Sequence, residues 1–483
     1  MNIKIVLRML SVILLIISGF MIIPAFIAIL YNESHVLYAI LITIGISIAI
    51  FFAIRILQKK ENVNKITHRD GFLFVTLSWG MSSFIGALPY YISGAIPEFT
   101  NAYFEAMSGF STTGATILSN IEALPVSLLF WRALTHWLGG MGIVVLTVAV
   151  LPVLGIKGLQ LIAAEAPGSK VDKLTAKVTE TAKILWIIYF VLTAIVTILL
   201  LLGDMPLIDA LIHAFSTVAT GGYSIKNSSI AYYNSAYIEA VITCFMIICG
   251  INFSLHFWMI SGNYKNILKD SELKGYLIIF FVATLIITSE TLGTNYSSIT
   301  EAVRYSSFQV ASIMTTTGFV TADYDHWPFL SRAVLFVLMF VGGCSGSTSG
   351  GIKVIRLITL LKQGLVEMKY LLHPRGVFIL RINGKPVKRE LIYATSGYFF
   401  LYMFLAAVTT LIVSSAGVDL ETSFSAAFAS IGNVGPGLGK IGPNGNYEFF
   451  PAYVKWWLSF AMLAGRLELY TVLIIFSRDF WRK

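Results

Sequence analysis

Four glycines, Gly114, Gly222, Gly318 and Gly435, recur at intervals of 108, 96 and 117 residues, and the residues around them fall into one register. Two positions earlier stand Thr112, Thr220, Thr316 and Asn433; six positions earlier stand Ser108, Ser216, Ser312 and Ala429. What such a stretch offers chemically is backbone. Glycine adopts angles that a side chain forbids, so a Thr-x-Gly segment can turn its carbonyl oxygens toward one axis. Rings of backbone carbonyls replace a cation's hydration shell in selective filters. A short helix ending at the turn aims the negative end of its dipole, about half a charge, the same way.

Two further features bear on such a path. Of the ten residues 342–351, five are glycine (Gly342, Gly343, Gly346, Gly350 and Gly351), which would badly weaken a helix. As a nucleotide loop the stretch fails, because a Walker pattern begun at Gly346 needs Lys where Ile352 stands. It is read either as close helix packing through small residues or as an intramembrane flap, bordered by Ser345, Ser347, Thr348 and Ser349. Arg466 stands about 15 residues into an apolar segment, roughly 22 Å deep at the helical rise. A charge at that depth is costly and usually functional. It is either a structural partner for a buried carboxylate or carbonyl, or an electrostatic barrier contacting the glycine flap; Glu468, two residues on, faces elsewhere. Arg132 and His136 are expected to snorkel and pack near the outer interface, and Asn252 and His256 to pack.

The elements that must position these residues are spans. The chain of 483 residues is 57% hydrophobic and 12% charged, against about 25% charged in soluble domains, and its mean hydropathy is +0.79. A water-soluble fold is excluded. Segments of about 20 apolar residues, enough to cross a bilayer, fall at 10–31, 36–57, 71–92, 126–154, 183–203, 236–262, 273–289, 333–361, 390–415 and 452–476. An all-α polytopic membrane protein with ten transmembrane helices is predicted. The connections after spans three, five, seven and nine each hold a further short apolar stretch of about 10 to 14 residues, too short to cross and typical of a re-entrant segment. Each glycine turn ends one of these stretches. The chain therefore reads as two extra spans (1–67) followed by four pseudo-symmetric repeats of span, short helix, turn and span around one pore: 68–156, 157–264, 265–375 with the glycine-rich loop, and 376–483 with a hairpin predicted at Asn383-Gly384.

Basic residues set the orientation. Of the 34 Lys and Arg, 27 flank the spans on one side, which the positive-inside rule makes cytoplasmic together with both termini. The net charge of +9 is this asymmetry and needs no nucleic acid partner. Glu98, Glu105, Glu122, Asp204, Asp209, Glu290, Glu301, Asp323, Asp325, Asp419, Glu421 and Glu448 fall on or near the opposite face, where they would gather cations. Cys244, Cys249 and Cys344 lie in apolar segments and read as packing residues.

With SGFSTTGAT, ATGGYS, MTTTGF and NVGPGLG at its four turns, the chain resembles the Trk/Ktr/HKT superfamily of potassium transporters, and its two extra N-terminal spans resemble the TrkH branch. The resemblance covers nearly the whole chain. It implies a bacterial inner-membrane location, K+ as the transported ion with no other bound cofactor, and a homodimer in membrane lipid with a cytosolic nucleotide-binding regulator of TrkA type. It also implies that the ion-lining carbonyls belong to Ser111 and Thr112, Ala219 and Thr220, Thr315 and Thr316, and Gly432 and Asn433, and that 342–351 is the gate. The double glycine Gly221-Gly222 leaves the second register open by one residue, and Asn433-Val434 makes the ring only pseudo-fourfold. Two other classes compete with a cation pore. An ion-coupled secondary transporter of a small solute would usually show two inverted halves; an intramembrane enzyme would need a base, nucleophile or metal cluster, and seven scattered histidines without HExxH offer little.

Overall fold

The structure, a computed structural model, describes residues 1–58, 67–142 and 178–482. Among the described residues, six helices are long and apolar enough to cross a membrane: Ile3–Leu30, Ser34–Leu57, His68–Ile92, Glu180–Leu202, Ser271–Thr291 and Arg389–Ser414. Their outward residues, among them Phe190, Ile198, Phe281, Leu285, Phe400 and Leu411, are exposed and apolar. A surface of that kind belongs in lipid.

The sixth and tenth predicted spans are broken rather than straight. Ala236–Cys249 and Phe253–Ile260 meet at 98°, and Ala452–Arg466 and Tyr470–Phe476 at 116°. At the first bend the Asn252 side chain accepts from the Ser254 N–H at 2.8 Å, so a new helix starts with its own cap. At the second, Glu468 and Leu469 have φ of 56° and 54°, which a right-handed helix does not admit. Of the fourth predicted span, Val126–Gly140 is helical, and residues 143–154, like Lys59, Lys60, Lys65, Lys157, Lys170, Lys173 and Lys177, lie outside the described residues. The eighth stops at Val341, and helix resumes only at Val354–Leu372. Close helix packing through the glycine stretch is thereby overturned, because the stretch is not helical.

The four short stretches are helices Phe99–Phe110, Leu207–Val218, Ile299–Met314 and Leu420–Ile431. The third, at 16 residues, is longer than predicted. Each packs on the incoming and outgoing spans of its own repeat and on the outgoing span of the preceding repeat, and the first takes Ala452–Arg466 of the fourth in that place. The repeats therefore close into a ring. Three of the four outgoing helices start after a proline, Pro125, Pro328 and Pro451. Glu33, between the first two spans, accepts from the Val126 and Ser127 N–H groups at 2.7 and 3.1 Å, so the extra spans are fastened to the ring at a helix N-terminus, where a carboxylate is favoured.

Asn2 N donates to Asp70 Oδ1 at 2.7 Å, and Arg69 donates to the Arg482 carbonyl, so both ends of the chain meet the start of the third span. The predicted hairpin forms, with Arg381–Ile382 paired to Lys385–Pro386 and positive φ at Asn383 and Gly384. Cys249 and Cys344 are buried, whereas Cys244 is exposed rather than packed.

Candidate functional site

Each short helix ends in the same way. The residue two before the glycine is left-handed, with φ of 55° at Thr112, 53° at Thr220, 57° at Thr316 and 56° at Asn433. Its N–H donates to the carbonyl three residues back, at 3.0 to 3.2 Å, and the next N–H donates to the carbonyl five back: Thr113 to Ser108, Gly221 to Ser216, Thr317 to Ser312 and Val434 to Ala429, at 2.8 to 2.9 Å. This is the Schellman closure of a helix C-terminus. Glycine or asparagine usually takes its left-handed position; threonine there is uncommon and costs energy, which points to a conformation held by its surroundings. The column six before the glycine is thus the set of carbonyls that caps the helix.

The glycines follow with φ of 80°, 78°, 82° and 95°. Gly222, not Gly221, has this conformation, which settles the open register of the second repeat. A Cβ on Gly114 would meet the Gly221 carbonyl; on Gly222, that of Thr317; on Gly318, that of Val434; on Gly435, that of Thr113 at 2.5 Å. The four turns abut in cyclic order. All four glycines line one cavity, together with connecting-loop residues such as Lys226, Asn227 and Asn444. Ser111, Thr112, Ala219, Thr220, Thr315, Thr316, Gly432 and Asn433 are buried on the same four turns, and none of them lines this cavity. Among the described residues no backbone N–H donates to any of their carbonyls; the Ala219 oxygen accepts only from the Thr220 hydroxyl, at 2.7 Å. Carbonyls of buried residues that receive no backbone donor, brought together from four repeats, are the kind of group that can replace a cation's hydration shell.

The glycine stretch lies directly beneath this ring. Gly350 N donates to the Thr316 hydroxyl at 2.7 Å, the Thr220 and Thr348 hydroxyls meet at 3.2 Å, and a Cβ on Gly350 would strike the Gly432 carbonyl. Gly342, Gly346 and Gly351 have positive φ, and Gly343 packs on Ser349. Arg466 donates to the Thr348 carbonyl at 2.7 Å and to the Gly139 and Gly140 carbonyls at 2.6 and 3.0 Å. Of the two readings kept for Arg466, carbonyl partner and contact with the glycine stretch, the geometry joins both. Glu468 pairs instead with Arg356.

The family model for TrkH, described as a cation transport protein, matches residues 37–483. The chain belongs to the TrkH family. It is 40% identical to the Trk system potassium uptake protein TrkH of Halomonas elongata and 38% identical to that of Escherichia coli K12, in both cases over the full length of each chain. The crystal structure of the potassium transporter TrkH from Vibrio parahaemolyticus superposes with a TM-score of 0.88 at 35% identity, again covering all of both chains. A TrkH-family member is a membrane transporter and not an enzyme.

Several residues of this TrkH-family chain stand elsewhere than the sequence suggested. Glu105, expected at the outer mouth, is fully buried and pairs with Arg132 at 2.7 Å. Arg132 does not snorkel: it is 2% exposed, lies 3.7 Å over the Tyr223 ring and donates to the Ser224 carbonyl at 3.0 Å. His136 stacks on the other side of that cluster, 4.0 Å from Tyr223. Each charge looks interfacial alone, and only the pairing makes burial affordable. Asp209, Glu301 and Glu421 stand in the first turns of the short helices, where they complement the dipole, and Glu421 also pairs with Arg332. Sequence reasoning missed Glu272, whose Oε1 accepts from both Ser345 N, at 2.6 Å, and Ile355 N, at 3.1 Å, tying the two sides of the glycine stretch together. An acidic residue at the start of a span gives no such signal.

Proposed function

We propose that this chain takes up potassium across the bacterial inner membrane, selecting the ion with the carbonyls of Ser111, Thr112, Ala219, Thr220, Thr315, Thr316, Gly432 and Asn433. The observation that carries the reading is the set of carbonyls on four abutting turns, all of buried residues, to which no backbone N–H among the described residues donates. The glycines Gly114, Gly222, Gly318 and Gly435 allow the turns to touch, and the helices behind them aim negative dipole ends at the ion. Below, residues 342–351 act as the gate, latched by Arg466. With the basic flanks inside, both termini are cytoplasmic. Relatives at 38 to 40% identity carry Trk system potassium uptake names, which supports the choice of ion. The domain boundaries, the homodimer and a TrkA-type regulator belong to the same reading.

Uptake into proteoliposomes decides it. Potassium should enter in preference to sodium, and a neutral solute should not enter at all. Solute uptake driven by an ion gradient would replace the pore with a coupled secondary transporter.

A further inference from the structure

Nine residues before each turn glycine, in the middle of the short helix, stand Glu105, His213, Gln309 and Ala426. The first three are fully buried and polar, and each reaches across to the strand that leaves its turn. Glu105 accepts from Ile117 N at 3.0 Å and from the Thr116 hydroxyl at 3.0 and 3.1 Å. Gln309 turns its amide oxygen to Thr321 N at 2.8 Å and Ala322 N at 3.2 Å, since only an oxygen can meet two N–H groups. In His213, Nδ1 faces the Asp209 carbonyl at 2.8 Å and so carries the proton, leaving Nε2 to accept from the Ser224 hydroxyl at 3.0 Å. Ala426 has no such group, but its neighbour Ser425 accepts from Leu438 N at 3.1 Å and donates to Leu438 O at 3.0 Å. Ile117, Thr321 and Leu438 all stand three residues past their glycine, and Ser224 two.

We infer that these side chains are struts that fix the distance between each short helix and the strand leaving its turn, and that they thereby set the width of the carbonyl ring and its discrimination between potassium and smaller cations. The inference rests on the filter reading. Four different chemistries, a carboxylate, an imidazole, an amide and a hydroxyl, meet one geometric demand: an acceptor at the same height behind each turn. No backbone N–H among the described residues holds these carbonyls in place, and only that of Ala219 accepts a hydroxyl, so the ring's size is held largely by the strands outside it. Arg132 belongs to the first strut as the partner that holds Glu105 in place.

Gln309 offers the cleanest test, because it has no charge partner to strand. Gln309→Leu removes the acceptor at similar volume; Gln309→Glu keeps it. In proteoliposomes loaded with the full chain, Gln309→Leu should lower the potassium-to-sodium uptake ratio by about tenfold, the equivalent of one hydrogen-bond acceptor lost, and Gln309→Glu should recover most of it. If Gln309→Leu lowers total flux or thermal stability while the ratio stays unchanged, the strut is structural only and the inference is overturned. Gly114→Ser, measured alongside, separates the two layers: a changed ratio there with none in Gln309→Leu or Ser425→Ala sinks the struts and keeps the filter, whereas no change in any of them sinks both.

Discussion

The Asn433 side-chain amide donates to the Thr113 hydroxyl at 3.0 Å and to the Met462 carbonyl at 2.9 Å, joining the fourth turn to the first across 320 residues of chain. Asparagine is also among the residues that best tolerate its φ of 56°. The departure from threonine at this position is therefore a closure of the ring and not a defect in it. Asn433→Ala should cost about 1 to 3 kcal/mol through the buried carbonyl left without its donor and should reduce potassium preference. Thermal midpoint and uptake ratio, measured on one preparation, check both effects.

Gly114→Ser and Gly318→Ser place a Cβ against the carbonyls of Gly221 and Val434, at φ of 80° and 82°. Both should lose discrimination against sodium. Gly293→Ser is the control, since its φ of 82° is equally left-handed but nothing lies within 4 Å; it should cost only backbone strain, about 1 kcal/mol, and leave the uptake ratio intact. An unchanged ratio in the two turn variants would refute the filter.

Arg466→Ala leaves the carbonyls of Thr348 and Gly140 to find other donors, while Gly139 keeps the Gly142 N–H at 3.0 Å, at about 1 to 3 kcal/mol for each that stays buried and unpaired. A loop held by that margin should shift toward its open arrangement. Higher basal potassium flux with unaltered ion preference is the expected result, and Glu272→Ala, which frees Ser345 N and Ile355 N, should move flux in the same direction. Lower flux from correctly inserted protein would make both residues supports of the pore wall.

Asp325, in the connection that precedes Phe329–Val341, has its carboxyl pushed up to about 6 by burial. Its folded form prefers the proton more than the unfolded chain does, so its contribution is present below the ordinary range near 3.8 and is lost as pH rises through about 6. Asp325→Asn should therefore stabilise the protein at pH 7.5 and do little at pH 4. Melting curves in detergent at the two pH values test the sign.

Much of the fold was legible because hydropathy reports length, and lipid punishes any span that is too short. The turns were legible because four copies share one register. The bends at Asn252 and Glu468 were hidden, since apolar composition runs through both while the break lies in a cap and in two backbone angles. The choice between Gly221 and Gly222 was likewise a matter of φ. Glu105 and Arg132 were misplaced because a charge read alone predicts exposure, and their partnership spans 27 residues that only the packing of a short helix on its outgoing span brings together.

The ring is drawn from one continuous chain, and its corners are unequal. In a pore built from four identical subunits every substitution appears four times, so an intermediate geometry at the ion is out of reach of single mutations. Here an edit at Thr220 or Asn433 alters one quadrant and leaves three as they were. On the filter reading, ion preference can be tuned in quarter steps, and the quadrants are free to specialise, with Thr220 and Thr316 meeting the loop beneath through their hydroxyls and Asn433 sealing the seam where the last repeat meets the first.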